Sequence, residues 1–121
     1  MSLNVAVNEK ERGTFIISST GPIDTNTSAA LEEKVNSVLN KRPKIAVFDM
    51  KGVTYISSAG LRVVFKAKKT LKQNKGEFYI VNLAPSVKKV FDIVNALPDQ
   101  EIFESVEELD SYLDKMQRGD S

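Results

Sequence analysis

Asp49-Met-Lys-Gly-Val-Thr-Tyr-Ile-Ser-Ser-Ala-Gly-Leu-Arg-Val-Val64 is the stretch whose reading decides how the rest of the chain is arranged. It begins inside Ile45-Ala-Val-Phe-Asp-Met50, an apolar run of strand length. From Leu61 onward, apolar residues recur at helical spacing through Val64, Phe65 and Leu71. The sequence therefore predicts a buried strand that stops, a polar turn across the surface, and a helix that starts, with Ser57 and Ser58 at the helix N-terminus. There the first backbone N–H groups lack intrahelical acceptors and the helix macrodipole is positive. The position favours a hydroxyl cap and would also favour a phosphate. Ala59 and Gly60 are small, so the hydroxyl beside them is expected to be accessible to a second protein. On propensity alone a serine ahead of an apolar helix is an N-cap and nothing more.

Resemblance adds to that plain structural role. Residues Asp49 to Leu61 resemble the signature segment of the anti-sigma factor antagonists, bacterial members of the STAS domain family. The matching positions are Asp49, Val53, Ile56, Ser58, Ala59, Gly60 and Leu61. The chain departs at Ser57, where the family usually carries Asp. The resemblance implies that Ser58 is phosphorylated by a partner kinase, and the departure raises Ser57 as a second acceptor. Gly21-Pro-Ile-Asp24 also resembles the family, in which this loop lies beside the serine and contributes to partner docking. Read without the resemblance, the tetrapeptide is a strand-to-helix turn. Asp24, Ser57, Ser58, Ala59, Gly60, Leu61 and Arg62 are thus the candidate partner-binding residues. Arg62 enters by spacing, because it follows Ser58 by four residues and shares its helix face.

At 121 residues and 41% apolar, the chain suits one core and is short for two ordinary domains. We read it as one domain with a structured core over about residues 3–116. There are no cysteines, which excludes disulfides and thiolate metal sites. There are no histidines, which excludes Ser-His-Asp and Cys-His catalysis, His-ligated zinc and a phosphohistidine relay. Ser-Ser-Ala-Gly is not a Gly-x-Ser-x-Gly elbow, and no Gly-x-x-x-x-Gly-Lys loop is present to cradle a nucleotide. A non-enzyme without cofactor or metal is expected. With 17 basic and 16 acidic residues the net charge of +1 provides no global field toward nucleic acid or an anionic membrane. No run approaches the length of a membrane span and the N-terminus lacks a signal-peptide core, so a soluble cytoplasmic protein is expected.

In chain order, Leu3-Asn-Val-Ala-Val7, a charged turn from Asn8 to Gly13, and Thr14-Phe-Ile-Ile-Ser18 predict a β-hairpin. Thr20 to Thr27 reads as a loop rich in capping residues. Leu31, Val35, Val38 and Leu39 mark a helix with Glu32 and Glu33 early, Lys41 and Arg42 just past the end, and Pro43 at the exit. The helix after the central motif runs to about Asn74, where Gly76 is expected to end it. Its basic residues Arg62, Lys66, Lys68, Lys69, Lys72 and Lys75 read as a solvated face. Glu77 to Leu83 reads as a strand, and Pro85 opens a helix through Val87, Val90, Phe91 and Val94. Leu97-Pro98-Asp99 breaks it, and Ile102-Phe-Glu104 is a short edge strand. Ser105 and Glu108 form a capping box before a terminal amphipathic helix through Val106, Leu109, Tyr112, Leu113 and Met116.

The assembled order, β-β-α-β-α-β-α-β-α, predicts an α/β domain with a mixed sheet of about five strands and about four helices. It matches the STAS fold, in which helices cover mainly one sheet face. The leading functional expectation, implied by the resemblance, is an anti-sigma factor antagonist. Unphosphorylated, it would engage an anti-sigma factor with serine/threonine kinase activity and so release a sigma factor. Phosphorylation of Ser58 would end that engagement, and a serine phosphatase would reset it. Two alternatives remain. A STAS module for a small ligand or lipid-transport partner would show a deep apolar pocket beside Ser58. A phosphorelay receiver would need an acceptor Asp at a strand end, where Asp49 is expected, plus further acidic residues.

Overall fold

Residues 2–96, 111, 113–115 and 117 are described by a computed structural model. Strand β1 (Asn4–Glu11) and strand β2 (Thr14–Ile23) form an antiparallel hairpin joined at Arg12-Gly13. Gly13 sits at φ 87°, a left-handed conformation that glycine adopts without a Cβ penalty. Helix α1 (Ser28–Leu39), strand β3 (Ile45–Ile56), helix α2 (Ser58–Gln73), strand β4 (Glu77–Val81) and helix α3 (Pro85–Ala96) follow. The described sheet has the order β1-β2-β3-β4, with β2, β3 and β4 parallel.

Period-two alternation turns Phe15 and Ile17 of β2 and Ala46, Phe48 and Met50 of β3 toward the helices. Against them pack Leu31, Val35 and Val38 of α1, Leu61, Val64 and Ala67 of α2, and Val87, Val90 and Phe91 of α3. Each such Leu, Ile or Phe contributes about 1.5–3 kcal/mol of burial before chain entropy is counted. On the opposite face Ile16, Val47 and Tyr79 lie side by side in register.

Three boundaries differ from the sequence reading. The hairpin is longer than its apolar residues suggest, because Asn8 to Glu11 continue β1 through backbone pairing although their side chains are exposed. Strand β2 does not stop at Ser18 but passes through Gly21-Pro22 to Ile23. Proline is accommodated there by an irregularity in the pairing with β3. Strand β3 does not give way to a polar turn after Met50; it runs on to Ile56. Ser18 and Thr20 pair with Asp49 and Gly52, and Gly21 and Pro22 pair with Val53 and Tyr55, so β3 carries one extra residue at each step. These two bulges change the inward spacing from two to three, which keeps Met50, Val53 and Ile56 all buried. Gly52 is the close approach inside this segment, where a Cβ would lie 2.8 Å from Thr20 Oγ1.

The end of α2 also differs. Lys75, not Gly76, takes the left-handed conformation, at φ 62°. Its N–H donates to Lys72 O at 3.1 Å and the N–H of Gly76 to Leu71 O at 2.7 Å, a Schellman closure. Ser111, Leu113, Asp114, Lys115 and Gln117 are helical, and Leu113 is fully buried, as expected for a terminal amphipathic helix. The expected break at Leu97-Pro98-Asp99, the strand Ile102–Glu104 and the Ser105/Glu108 capping box lie outside the described residues.

Candidate functional site

The parallel strands β2 and β3 end together, with Ile23 opposite Ile56. One residue further, the N–H of Ser57 donates to Ile23 O at 2.8 Å. Ser57 is still extended (φ −93°, ψ 174°), its carbonyl accepts the first helical bond from Leu61 N–H at 2.9 Å, and its Oγ accepts from Gly60 N–H at 3.3 Å. Ser57 is therefore the N-cap of α2 and Ser58 is the first helical residue. The capping role that propensity assigned to either serine thus belongs to Ser57.

Both serines are less open than their small neighbours suggest, Ser57 keeping 3% and Ser58 7% of its surface. Gly60 is the reason. A Cβ there would lie 2.6 Å from Ile23 Cγ2 and 2.8 Å from Ile56 Cγ1, so the first turn of α2 sits directly on the ends of the two strands. Gly60 is thus a packing residue rather than an opening for a partner. Leu61 is buried in the core, Ala59 is half-buried and Arg62 is exposed. Arg62 forms no ion pair among the described residues, in contrast to Lys66, which reaches Glu32 at 3.8 Å. It stands one helical turn beyond Ser58, as its spacing requires.

Asp24 is brought to the same corner, directly after Ile23. Its Oδ1 accepts from the N–H groups of Asn26 and Thr27, both at 2.8 Å, and its own N–H donates to Thr27 Oγ1 at 2.8 Å. Ser28 N–H donates to Asp24 O at 2.9 Å. This is a reciprocal capping arrangement that starts the turn leading into α1. The Thr27 N–H holds the Asp24 carboxyl below its ordinary range, partly opposed by burial and helped by Asn26. Thr27 in turn donates from its hydroxyl to Pro22 O at 2.8 Å. Sequence reading did not single out Thr27, although it lies in the cap-rich loop that was recognised. It also missed Gln117, whose carboxamide bonds Ile56 from a remote part of the chain and for which the sequence carries no local signal.

Asp49 does not end a strand. It lies within β3, where its Oδ1 accepts from Lys51 N–H at 3.0 Å and from Asn82 Nδ2 at 3.2 Å. The receiver alternative loses its strand-end acceptor for that reason. Two surface hollows formed by described residues lie away from the serines. One of about 470 Å³ is lined by Phe65, Lys68, Lys69, Lys72 and Gln73, and one of about 390 Å³ by Ser18, Ser19, Thr20, Asp49, Lys51 and Gly52. Among the described residues no helix is long and apolar enough to cross a membrane.

A parallel sheet with a hairpin edge, covered by helices, with a serine corner where two strands end, defines the class. The STAS domain family model matches residues 5–109, and the chain belongs to that family. Within it, the chain is 35% identical over 85 residues to the putative anti-sigma factor antagonist BtrV of Bordetella bronchiseptica, covering 70% of this chain and 73% of that protein. It is 26% identical over 94 residues to the anti-sigma F factor antagonist of Paenibacillus polymyxa, covering 77% and 80% of the two chains. Among solved structures, an anti-sigma factor antagonist from Mycobacterium paratuberculosis superposes with a TM-score of 0.69 at 21% identity, covering 93% of this chain and 94% of that one. The phosphorylated form of the Bacillus cell fate determinant SpoIIAA gives 0.65 at 17% identity over 75% of this chain and 83% of that one. At those identities the two structures share the fold.

Proposed function

We propose that this chain is an anti-sigma factor antagonist of the bacterial cytoplasm, switched by phosphorylation of Ser58. Unmodified, it binds an anti-sigma factor that also carries serine/threonine kinase activity, and the bound sigma factor is released to transcription. The partner phosphorylates Ser58, which ends the engagement, and a serine phosphatase restores it. The observation that carries this reading is the placement of Ser58 as the first helical residue of α2, beside the Ile23–Asp24 end of β2, within the segment that resembles the family signature. The names of the relatives support the partner class.

The physical mechanism is local. A phosphate adds about −1.5 to −2 charges and three strong acceptor oxygens. The helix N-terminus accommodates that charge within the chain. Ser58 keeps only 7% of its surface, so the packed corner has little room for a phosphoryl group, and in this reading the group projects toward the docked partner. Desolvating it against the partner is unfavourable, so binding is lost without refolding. Arg62, exposed one turn away, contacts it in this reading. This chain itself supplies no catalytic machinery in the scheme.

The test is intact-mass and phosphopeptide analysis after incubation with the anti-sigma factor kinase and ATP, with binding measured in parallel. Ser58→Ala should abolish phosphorylation and retain binding, and Ser58→Asp should fold but bind poorly. Ser57→Ala should still be phosphorylated at Ser58, with stability lowered by about 1 kcal/mol through loss of the cap. Phosphate found on Ser57 with Ser58 unmodified moves the switch by one residue. No phosphate on either, with a kinase active on another substrate, removes the switch altogether.

A further inference from the structure

In the described structure β4 pairs with β3 only as far as the Asp49–Val81 position. The last residues of β3 therefore have a strand neighbour on the β2 side alone among the described residues. Successive peptide groups of a strand point to opposite sides. Since Ser57 N–H points at Ile23 O, the N–H and C=O of Ile56 point away from β2, to the side that β4 no longer covers. A part-buried peptide there carries a desolvation penalty unless something pairs with it.

Gln117 does so. Ile56 N–H donates to Gln117 Oε1 at 2.6 Å, and Gln117 Nε2 donates to Ile56 O at 2.7 Å. The carboxamide presents the same donor and acceptor that one residue of a neighbouring strand would present. Nε2 also reaches Leu113 O, one turn back, at 3.2 Å, and Leu113 is fully buried, so the clip is anchored in the core. The contact spans 61 residues of sequence and closes on the residue immediately before the Ser57 cap.

We propose that Gln117 is a positioning residue for the Ser58 switch: its carboxamide fixes the end of β3, and with it the first turn of α2, in the arrangement the partner docks on. The inference rests on the function proposed above. Few side chains can replace the glutamine. Asparagine is one methylene short, glutamate at neutral pH accepts but does not donate, and methionine fills the space with neither group.

The experiment compares wild type, Gln117→Met and Gln117→Glu in the full chain by three readouts: urea unfolding, amide hydrogen exchange by NMR, and anti-sigma factor affinity with phosphorylation kinetics. Gln117→Met should unfold cooperatively and exchange the Ile56 amide at least about tenfold faster relative to the Phe48 amide, whose exchange reports any change in global stability. Its dissociation constant for the partner should rise about tenfold under conditions where the folded fraction is unaffected, a change that a role in stability alone would not produce. Gln117→Glu keeps the acceptor for Ile56 N–H but sets a carboxylate oxygen against the Ile56 and Leu113 carbonyl oxygens, so it should be impaired at least as much as Gln117→Met. It also carries the comparison if the methionine variant does not fold. Unchanged Ile56 exchange in both variants overturns the clip. Faster exchange with wild-type affinity overturns the positioning role. If wild type itself does not bind, the functional reading fails and the proposal with it, and the failure is recognised by appearing in wild type rather than in the variants.

Discussion

At Gly60 helix propensity and packing pull in opposite directions, and the distances decide between them. Replacing a helical glycine by alanine usually stabilises by about 1 kcal/mol. Here the new methyl would stand 2.6 Å from Ile23 Cγ2 and 2.8 Å from Ile56 Cγ1, both on fully buried side chains that cannot swing away. Overpacking of this kind costs about 1–3 kcal/mol against the propensity gain of about 1 kcal/mol, so Gly60→Ala should lower stability by up to about 2 kcal/mol, read from the urea midpoint at unchanged slope. A stabilised variant would show that the helix can lift off the strand ends. Asp24 gives a pH signature of the same corner. Its carboxyl is held low, first by the Thr27 N–H, so the unfolded chain binds more protons at this residue than the folded one. The resulting stability is complete well above the ordinary value of 3.8 and is lost as pH falls through and below it. Asp24→Asn keeps a capping oxygen without that titration, so the gap between variant and wild type should narrow as pH falls. Parallel stability curves in acid would rule out the contribution.

Among the secondary-structure elements, α2 ends on a strained residue. Its Schellman closure needs a left-handed residue, and the chain places Lys75 there at φ 62° with glycine one position too late. A side chain in that conformation costs about 1 kcal/mol or more, whereas glycine adopts it freely. Lys75→Gly should therefore raise stability by about 1 kcal/mol, visible as an increase in thermal midpoint. A lower midpoint would mean that the lysine makes a compensating contact. Strand β3 shows how an irregularity serves placement. Its two bulges add the residues that carry the strand past Gly52 while keeping Val53 and Ile56 inward, so the strand arrives at Ser57 with the core still closed beneath it.

Across the molecule, burial is uneven. Strands β2 and β3 are the axis of the sheet, with Phe15, Ile17, Phe48 and Met50 nearly or fully buried, while β1 is exposed along almost its whole length. Native-state hydrogen exchange should accordingly show the Ile17 and Phe48 amides opening only with global unfolding and the β1 amides opening by fraying at lower free energy. Equal protection across the four described strands would indicate that the hairpin and the parallel sheet unfold as one unit. The serine corner lies where this buried axis ends, which under the proposed function would suit a surface that keeps its shape with and without a phosphate.

Much of this organisation is readable in one dimension. Helical spacing in Leu31, Val35 and Val38, and in Leu61, Val64 and Leu71, reports directly which face each helix buries, because one short period is repeated without interruption. The Ser-Ser-Ala-Gly-Leu segment likewise announces a helix start and the family it belongs to. Strand ends are another matter. Lys51 to Tyr55 looks like a turn because bulges replace a period of two by one of three, and a bulge exists only in relation to the neighbouring strand. The accessibility expected beside Ala59 and Gly60 failed for the same reason, since Ile23 and Ile56 press on Gly60 only once two distant strands are side by side. Gln117 is the extreme case. Nothing near it in the chain marks a partner, because its contact is with a peptide 61 residues away that, among the described residues, has a neighbouring strand on one side alone.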